Sequence, residues 1–145
     1  MPTVWTIGYE RLLPAELVAE LQAAGIERLI DVRFRPQSRR PGMSKTRLGE
    51  LLSDHGIAYE HRKRLGTPPD IRWFYKHNRT ADGAPRFREH VENTAAHELD
   101  DLAAELDRGP RTALMCLEAD PAVCHRRILT EALRARVPKL TVVDL

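Results

Sequence analysis

Strand-like and helix-like segments alternate along this chain, and that order leaves few folds open. Residues 3 to 8 alternate as a strand, and residues 14 to 24 place Leu17, Val18, Leu21 and Ala24 on one helical face that stops at Gly25. Residues 28 to 32 read as a second strand. Ser44 is placed to cap a helix striped by Leu48, Leu51 and Leu52 and ended by Gly56, with a third strand over residues 57 to 61. Residues 86 to 107 are helical in pattern, but the stripe drifts near residues 93 to 97, which predicts two helices. A strand over 112 to 117, a helix to 136 and a last strand over 140 to 145 complete the order. The expected fold is α/β, a three-layer sandwich with a mainly parallel sheet and helices on both faces. In such sheets ligands bind beyond the carboxyl ends of the strands, where strand order reverses.

At 145 residues the chain is expected to form one domain, residues 1 to 145, burying about two-thirds of its unfolded surface. Its opening residues, Met1-Pro2-Thr3-Val4-Trp5, lack the basic and apolar regions of a leader, and no stretch approaches a membrane span. A cytoplasmic protein with no membrane partner is the expectation. Two cysteines do not make a disulfide framework, so a Cys116–Cys124 pair is expected to be a redox event, not a structural staple.

Both cysteines fall within eleven residues, Cys116 to Arg126, together with Glu118 and His125. This segment joins a strand to a helix. Asp120 suits a cap and Pro121 the first helical position, so the helix is predicted to begin near residue 121, its positive end facing the loop after Cys116. A thiolate or bound anion is stabilised in such a place. On a helical projection His125 lies within the stripe of Ile128, Leu129, Ala132 and Leu133, Cys124 lies inside the helix at the edge of that stripe, and Arg127 points outward. Cys116 is therefore expected to be the more reactive thiol. The plainer readings are that Cys116 is a small buried hydrophobe and that His125 satisfies a strand-end carbonyl.

The net charge of +2 conceals an asymmetry. Residues 28 to 88 carry 15 Lys or Arg against 6 Asp or Glu, and residues 89 to 107 are acidic with no Lys or Arg. The acidic segment reads as a solvated helix face. Arg33, Arg35, Arg39, Arg40, Lys45 and Arg47 crowd one loop, where arginine forks suit phosphate or carboxylate. Asp31 is placed to orient Arg33 by an ion pair, and the loop is equally readable as a solvated charged one. Residues 62 to 85 read as a long second loop in which Arg72 to Arg79 interleave cations and aromatics, a pattern that holds phosphates and stacks bases. At least two of Trp73, Phe74 and Tyr75 are expected to pack inward.

Cys116-x-Glu118, Asp120-Pro121 and Cys124-His125-Arg126 resemble the C-terminal signature of the domain of unknown function 488 family. Asp31-Val32-Arg33 with Pro36-Gln37-Ser38-Arg39 is similar to its upstream signature, and Thr6-Ile7-Gly8-Tyr9 to its opening strand. Met43, where a Phe is usual, and Leu65-Gly66-Thr67, for a Leu-Gly-Gly, depart from that pattern. The resemblance implies a compact α/β domain with its marked residues at one end of the sheet.

The expected function is an enzyme acting on a phosphate-bearing small molecule or nucleic acid. Cys116, Glu118 and His125 are the candidate catalytic residues, with Cys116 as nucleophile or Glu118 as acid or base. Arg33, Arg35, Arg39, Arg40 and Arg126 are candidates for binding the anion, and Gly8, Tyr9, Asp31, Ser38 and Cys124 are accessory. The first Arg after Cys116 is ten positions on, so the spacing is not that of a cysteine phosphatase loop. A second reading is a zinc or iron site of Cys116, Glu118, Cys124 and His125. A third is a nucleic-acid-binding module without chemistry, for which the basic loops suffice. No cofactor or oligomeric state is specified.

Overall fold

A computed structural model describes residues 2–145. Five strands, β1 (Thr3–Gly8), β2 (Arg28–Asp31), β3 (Ala58–His61), β4 (Thr112–Cys116) and β5 (Thr141–Asp144), form one sheet in the order β3-β2-β4-β1-β5. Every pairing in it is parallel. Helices α1 (Pro14–Ala23) and α2 (Lys45–Asp54) pack on one face through Leu17, Leu21, Leu48 and Leu52 against Trp5, Ile7, Leu29 and Met115. On the other face lie α3 (Pro69–Lys76), α4 (Thr80–Thr94), α5 (Ala96–Arg108) and α6 (Arg126–Arg136). Their Tyr75, Phe87, Leu99 and Leu129 meet Val4, Ile30 and Leu114. The three-layer α/β architecture expected from the alternation is therefore present. Successive residues of β1 and β4 serve opposite cores, as the pleat requires.

Several local expectations need correction. The helix predicted from residue 121 is a single 3-10 turn, Pro121–Val123, and α6 starts at Arg126 with His125 as its cap residue. Asp120 caps as expected, accepting the Ala122 N–H at 2.9 Å, but it caps the short turn. The residues after it must swing inward to bury Cys124, His125 and Arg126, which ends that helix after one turn and leaves Cys124 outside α6. The long loop over residues 62 to 85 is mostly helix: a 3-10 turn at Lys63–Leu65, then α3, then the start of α4 with Pro85 inside it. Pro69 lies in the first turn of α3, where no N–H is needed, and Ile71 and Tyr75 bury one face at i, i+4 spacing. Of the three aromatics Tyr75 is buried, Phe74 half-buried and Trp73 45% exposed. The break in the acidic helical stretch falls at Ala95, as the drifting stripe predicts. Part of that acidic face is paired: Arg136 hydrogen-bonds Glu92 and Asp100, and Arg28 forms an ion pair with Glu105. Ser44 precedes α2, but its hydroxyl bonds Ser38 and makes no helix cap. No helix among the described residues is long and apolar enough to cross a membrane.

The connection after β2 goes to one face of the sheet and the connection after β4 to the other, and these strands are neighbours. That reversal opens a crevice at their carboxyl ends.

Candidate active site

The central strand β4 ends at Cys116, flanked by the ends of β1 and β2. Backbone pairing runs on past the strands: Tyr9 N–H donates to Cys116 O at 3.2 Å and Glu10 N–H to Leu117 O at 2.8 Å. Gly8 makes this possible, because a Cβ there would stand 1.7 Å from the Glu118 carbonyl oxygen. Arg126, fully buried, fixes the loop from the far side. Its guanidinium donates to Thr6 Oγ1 at 3.1 Å, to Ala119 O at 3.0 Å, to the Glu118 carbonyl and to Cys116 Sγ at 3.1 Å. Expected to bind an anion, Arg126 is occupied by the carbonyls of its own loop.

Arg33 is held as firmly. Asp31, with no exposed surface, takes its Nε at 2.9 Å and its Nη2 at 2.7 Å, a bidentate buried pair, and also accepts from Tyr59 Oη. Arg33 Nη1 donates to Met43 O at 2.8 Å and to Tyr9 Oη at 3.2 Å. Burial opposes the Arg33 charge, but the bond and charge of Asp31 outweigh it and hold the guanidinium pKa above its ordinary value. Arg40 donates to Tyr9 O, Glu10 O and Leu12 O, tying the β2–α2 loop to the β1–α1 loop. Ser38 braces the same loop through Arg40 N and Ser44. Of the arginines expected to meet an anion, Arg35 and Arg39 are exposed.

Cys116 and Cys124 are joined as a disulfide, both almost wholly buried. His125, also buried, donates Nε2–H to Val32 O at 2.8 Å, the carbonyl-satisfying role foreseen for it. Its other nitrogen, Nδ1, is thereby left as an acceptor, 3.8 Å from Cys124 Sγ. Burial lowers the His125 pKa from 6.5 to about 4, so the ring is neutral near pH 7. Glu118 lies 3.6 Å from Cys116 Sγ, and burial raises its carboxyl above the ordinary carboxylate value despite Arg72 and Arg126 nearby. Ligand atoms of Cys116, Cys124 and His125 fall within 4.8 Å of one another, and Glu118 is not in that group. In the disulfide state neither sulfur carries the negative charge that a zinc or iron centre needs from its thiolates.

Arg33, Cys116, Glu118 and His125 line one small cavity, whereas Gly8 packs against the Glu118 carbonyl and does not line it. The cavity is completed by Thr67, Arg72 and Tyr75 and holds about 10 Å³, room for one water-sized atom. Tyr75 Oη is buried there with no hydrogen-bond partner among the described residues, and burial raises its pKa to about 12. Thr67 and Arg72 also belong to an open groove of about 820 Å³ lined by Arg35, Arg39, Trp73 and Lys76. Among the described residues no carboxylate lines it. Trp73 stacks on His77 with ring centroids 4.3 Å apart. Thr67 is not singled out by the sequence, and Arg72 and Tyr75 enter there only as part of a segment of cations and aromatics that holds phosphates and stacks bases. The signals were Pro69, Asp70 and the Ile71–Tyr75 spacing, which together mark a short helix and so fix which side chains turn inward.

A family model described as Domain of unknown function DUF488 matches residues 14–133. No curated protein and no solved structure matches the chain.

Proposed function

The chain belongs to the family described as Domain of unknown function DUF488, and from that footing we propose that it is an enzyme acting on a phosphate-bearing substrate, a nucleotide or nucleic acid. One observation carries this reading: a groove with four cations and, among the described residues, no carboxylate shares Thr67 and Arg72 with a small cavity lined by Glu118 and His125. Arg35, Arg39, Arg72 and Lys76 bind the phosphate, and the exposed face of Trp73 takes the base. Arg33, Arg40 and Arg126 shape the site and do not grip the anion.

With Cys116 paired to Cys124, proton transfer falls to Glu118. Burial favours the protonated form of its carboxyl, which is the form a general acid requires. His125, neutral and anchored to Val32, is a positioning residue that keeps the cavity wall in place.

The test is turnover and binding with nucleoside mono-, di- and triphosphates and a short single-stranded oligonucleotide. Glu118→Gln is expected to bind the active substrate but to lose kcat by about 10²–10⁴-fold. Arg72→Ala is expected to raise KM. Binding without turnover in the wild-type protein leaves a module without chemistry, and full activity in Glu118→Gln removes the acid from the mechanism.

A further inference from the structure

We infer that Cys116 and Cys124 are a hydroperoxide-reducing dithiol, with Cys116 attacking the peroxide, Cys124 resolving it, and the disulfide as the oxidised product. Three observations separate this pair from packed, inert cysteines. The sulfurs come from opposite ends of the β4–α6 connection, yet both receive N–H donors from Arg126, Nη1 at 3.1 Å to Cys116 and the backbone N at 3.5 Å to Cys124. A cation and hydrogen bond of that kind favour a thiolate over a thiol when the pair is reduced. Secondly, Cys116 lines the small cavity and Cys124 does not, which gives the two sulfurs different access. Thirdly, the buried Tyr75 hydroxyl has no partner in the described structure and borders that same cavity, as a donor for an incoming oxygen does.

The size of the cavity selects the oxidant. Cys116 is 1% exposed, and the cavity of about 10 Å³ beside it already fits one oxygen atom, whereas a sulfur reaches Cys116 only when the cavity widens. The terminal oxygen of a small hydroperoxide fits, with its second oxygen toward Thr67 and Arg72. Cys116 thiolate attacks the terminal oxygen, an S–O bond forms, and the O–O bond breaks with its electron pair going to the leaving oxygen. That oxygen takes the proton Cys116 lost and departs as water or an alcohol. Cys124 then attacks Cys116 Sγ, the S–S bond forms and the S–O bond breaks, and the hydroxide leaves with the Cys124 proton as water. Two thiols lose two electrons and the peroxide gains them. His125 Nδ1 holds the Cys124 S–H before attack, and an external dithiol restores the pair.

This chemistry is independent of the phosphate reading, because the probe is hydrogen peroxide and the readout is the state of each sulfur. Wild-type protein is reduced with a dithiol, freed of it and given one equivalent of peroxide. Expected results are disulfide formation in wild type, one added oxygen on Cys116 in Cys124→Ser, and a rate at least about tenfold below wild type in Cys116→Ser. Circular dichroism of both variants controls for folding. First oxidation at Cys124, a wild-type rate no greater than that of free cysteine, or equal reaction with glutathione disulfide overturns the proposal. So does tight uptake of Zn²⁺ alone by the reduced protein with both thiols protected, which makes the cluster a metal centre.

Discussion

At the scale of single residues, the same burial drives Glu118 and His125 in opposite directions. His125 has its pKa depressed from 6.5 to about 4, so between those values the unfolded chain binds a proton that the folded one refuses. The resulting stability is fully present above about pH 6.5 and is lost as pH falls toward about 4, to a total of about 3 kcal/mol. Urea unfolding at about pH 7 and about pH 5 is expected to show a clear loss in wild type and a smaller one in His125→Gln. Glu118 has the reverse sign: its raised pKa lets the folded state keep a proton the unfolded chain releases, so its contribution falls as pH rises through the raised value. As a general acid it is active while protonated. The kcat/KM profile is therefore expected to decline with rising pH above the ordinary carboxylate range, and a flat profile there excludes the acid role.

Elements carry the precision of the site. The ends of β1 and β4 approach so closely that Gly8 has no room for a side chain, its Cβ position being 1.7 Å from Glu118 O. Gly8→Ala must push the β4–α6 connection away and is expected to cost about 3 kcal/mol or more, together with activity. Gly56, which has open space and a φ of 74°, is the contrast: Gly56→Ala costs about 1 kcal/mol through backbone strain and leaves activity intact. Chemical denaturation of both variants separates steric from conformational cost. Helix α3 is the element the sequence concealed. Pro68, Pro69, Gly83 and Pro85 read as loop chemistry, yet one proline precedes α3, one lies in its first turn, and Gly83 is where α4 meets Phe74 and Tyr75. A Cβ at Gly83 would lie 2.9 Å from the Phe74 side chain. Local propensity gave way there to helix packing.

Across the whole molecule, charge is sorted by what the fold does with it. The arginines of the central segment divide into those spent internally, such as Arg28, Arg33 and Arg40, and those facing the groove, Arg35, Arg39 and Arg72 with Lys76. The second set faces the groove where a polyanion would lie. Binding of a single-stranded oligonucleotide is expected to weaken steeply with salt, and Arg39→Ala with Lys76→Ala to lower the salt slope by about 1.4. Arg40→Ala is expected instead to destabilise the fold, since it removes the clamp on three carbonyls. Fluorescence anisotropy across a salt series distinguishes the two, and an oligonucleotide affinity insensitive to salt excludes nucleic acid as the substrate.

The alternation of strands and helices outside residues 62 to 85, the parallel sheet and the placing of marked residues at strand ends were determined by the sequence itself, because hydrophobic periodicity and strand-end motifs are local patterns. Asp31 beside Arg33 was legible for the same reason. What each arginine does was settled only by tertiary structure: Arg126 looks like Arg39 in sequence, but one is enclosed by loop carbonyls and the other faces the groove. The inner cavity is likewise tertiary, since Thr67, Arg72 and Tyr75 reach it only when α3 docks against the ends of β2 and β4. Periodicity states which face of an element is buried, and long-range packing alone decides what that face meets.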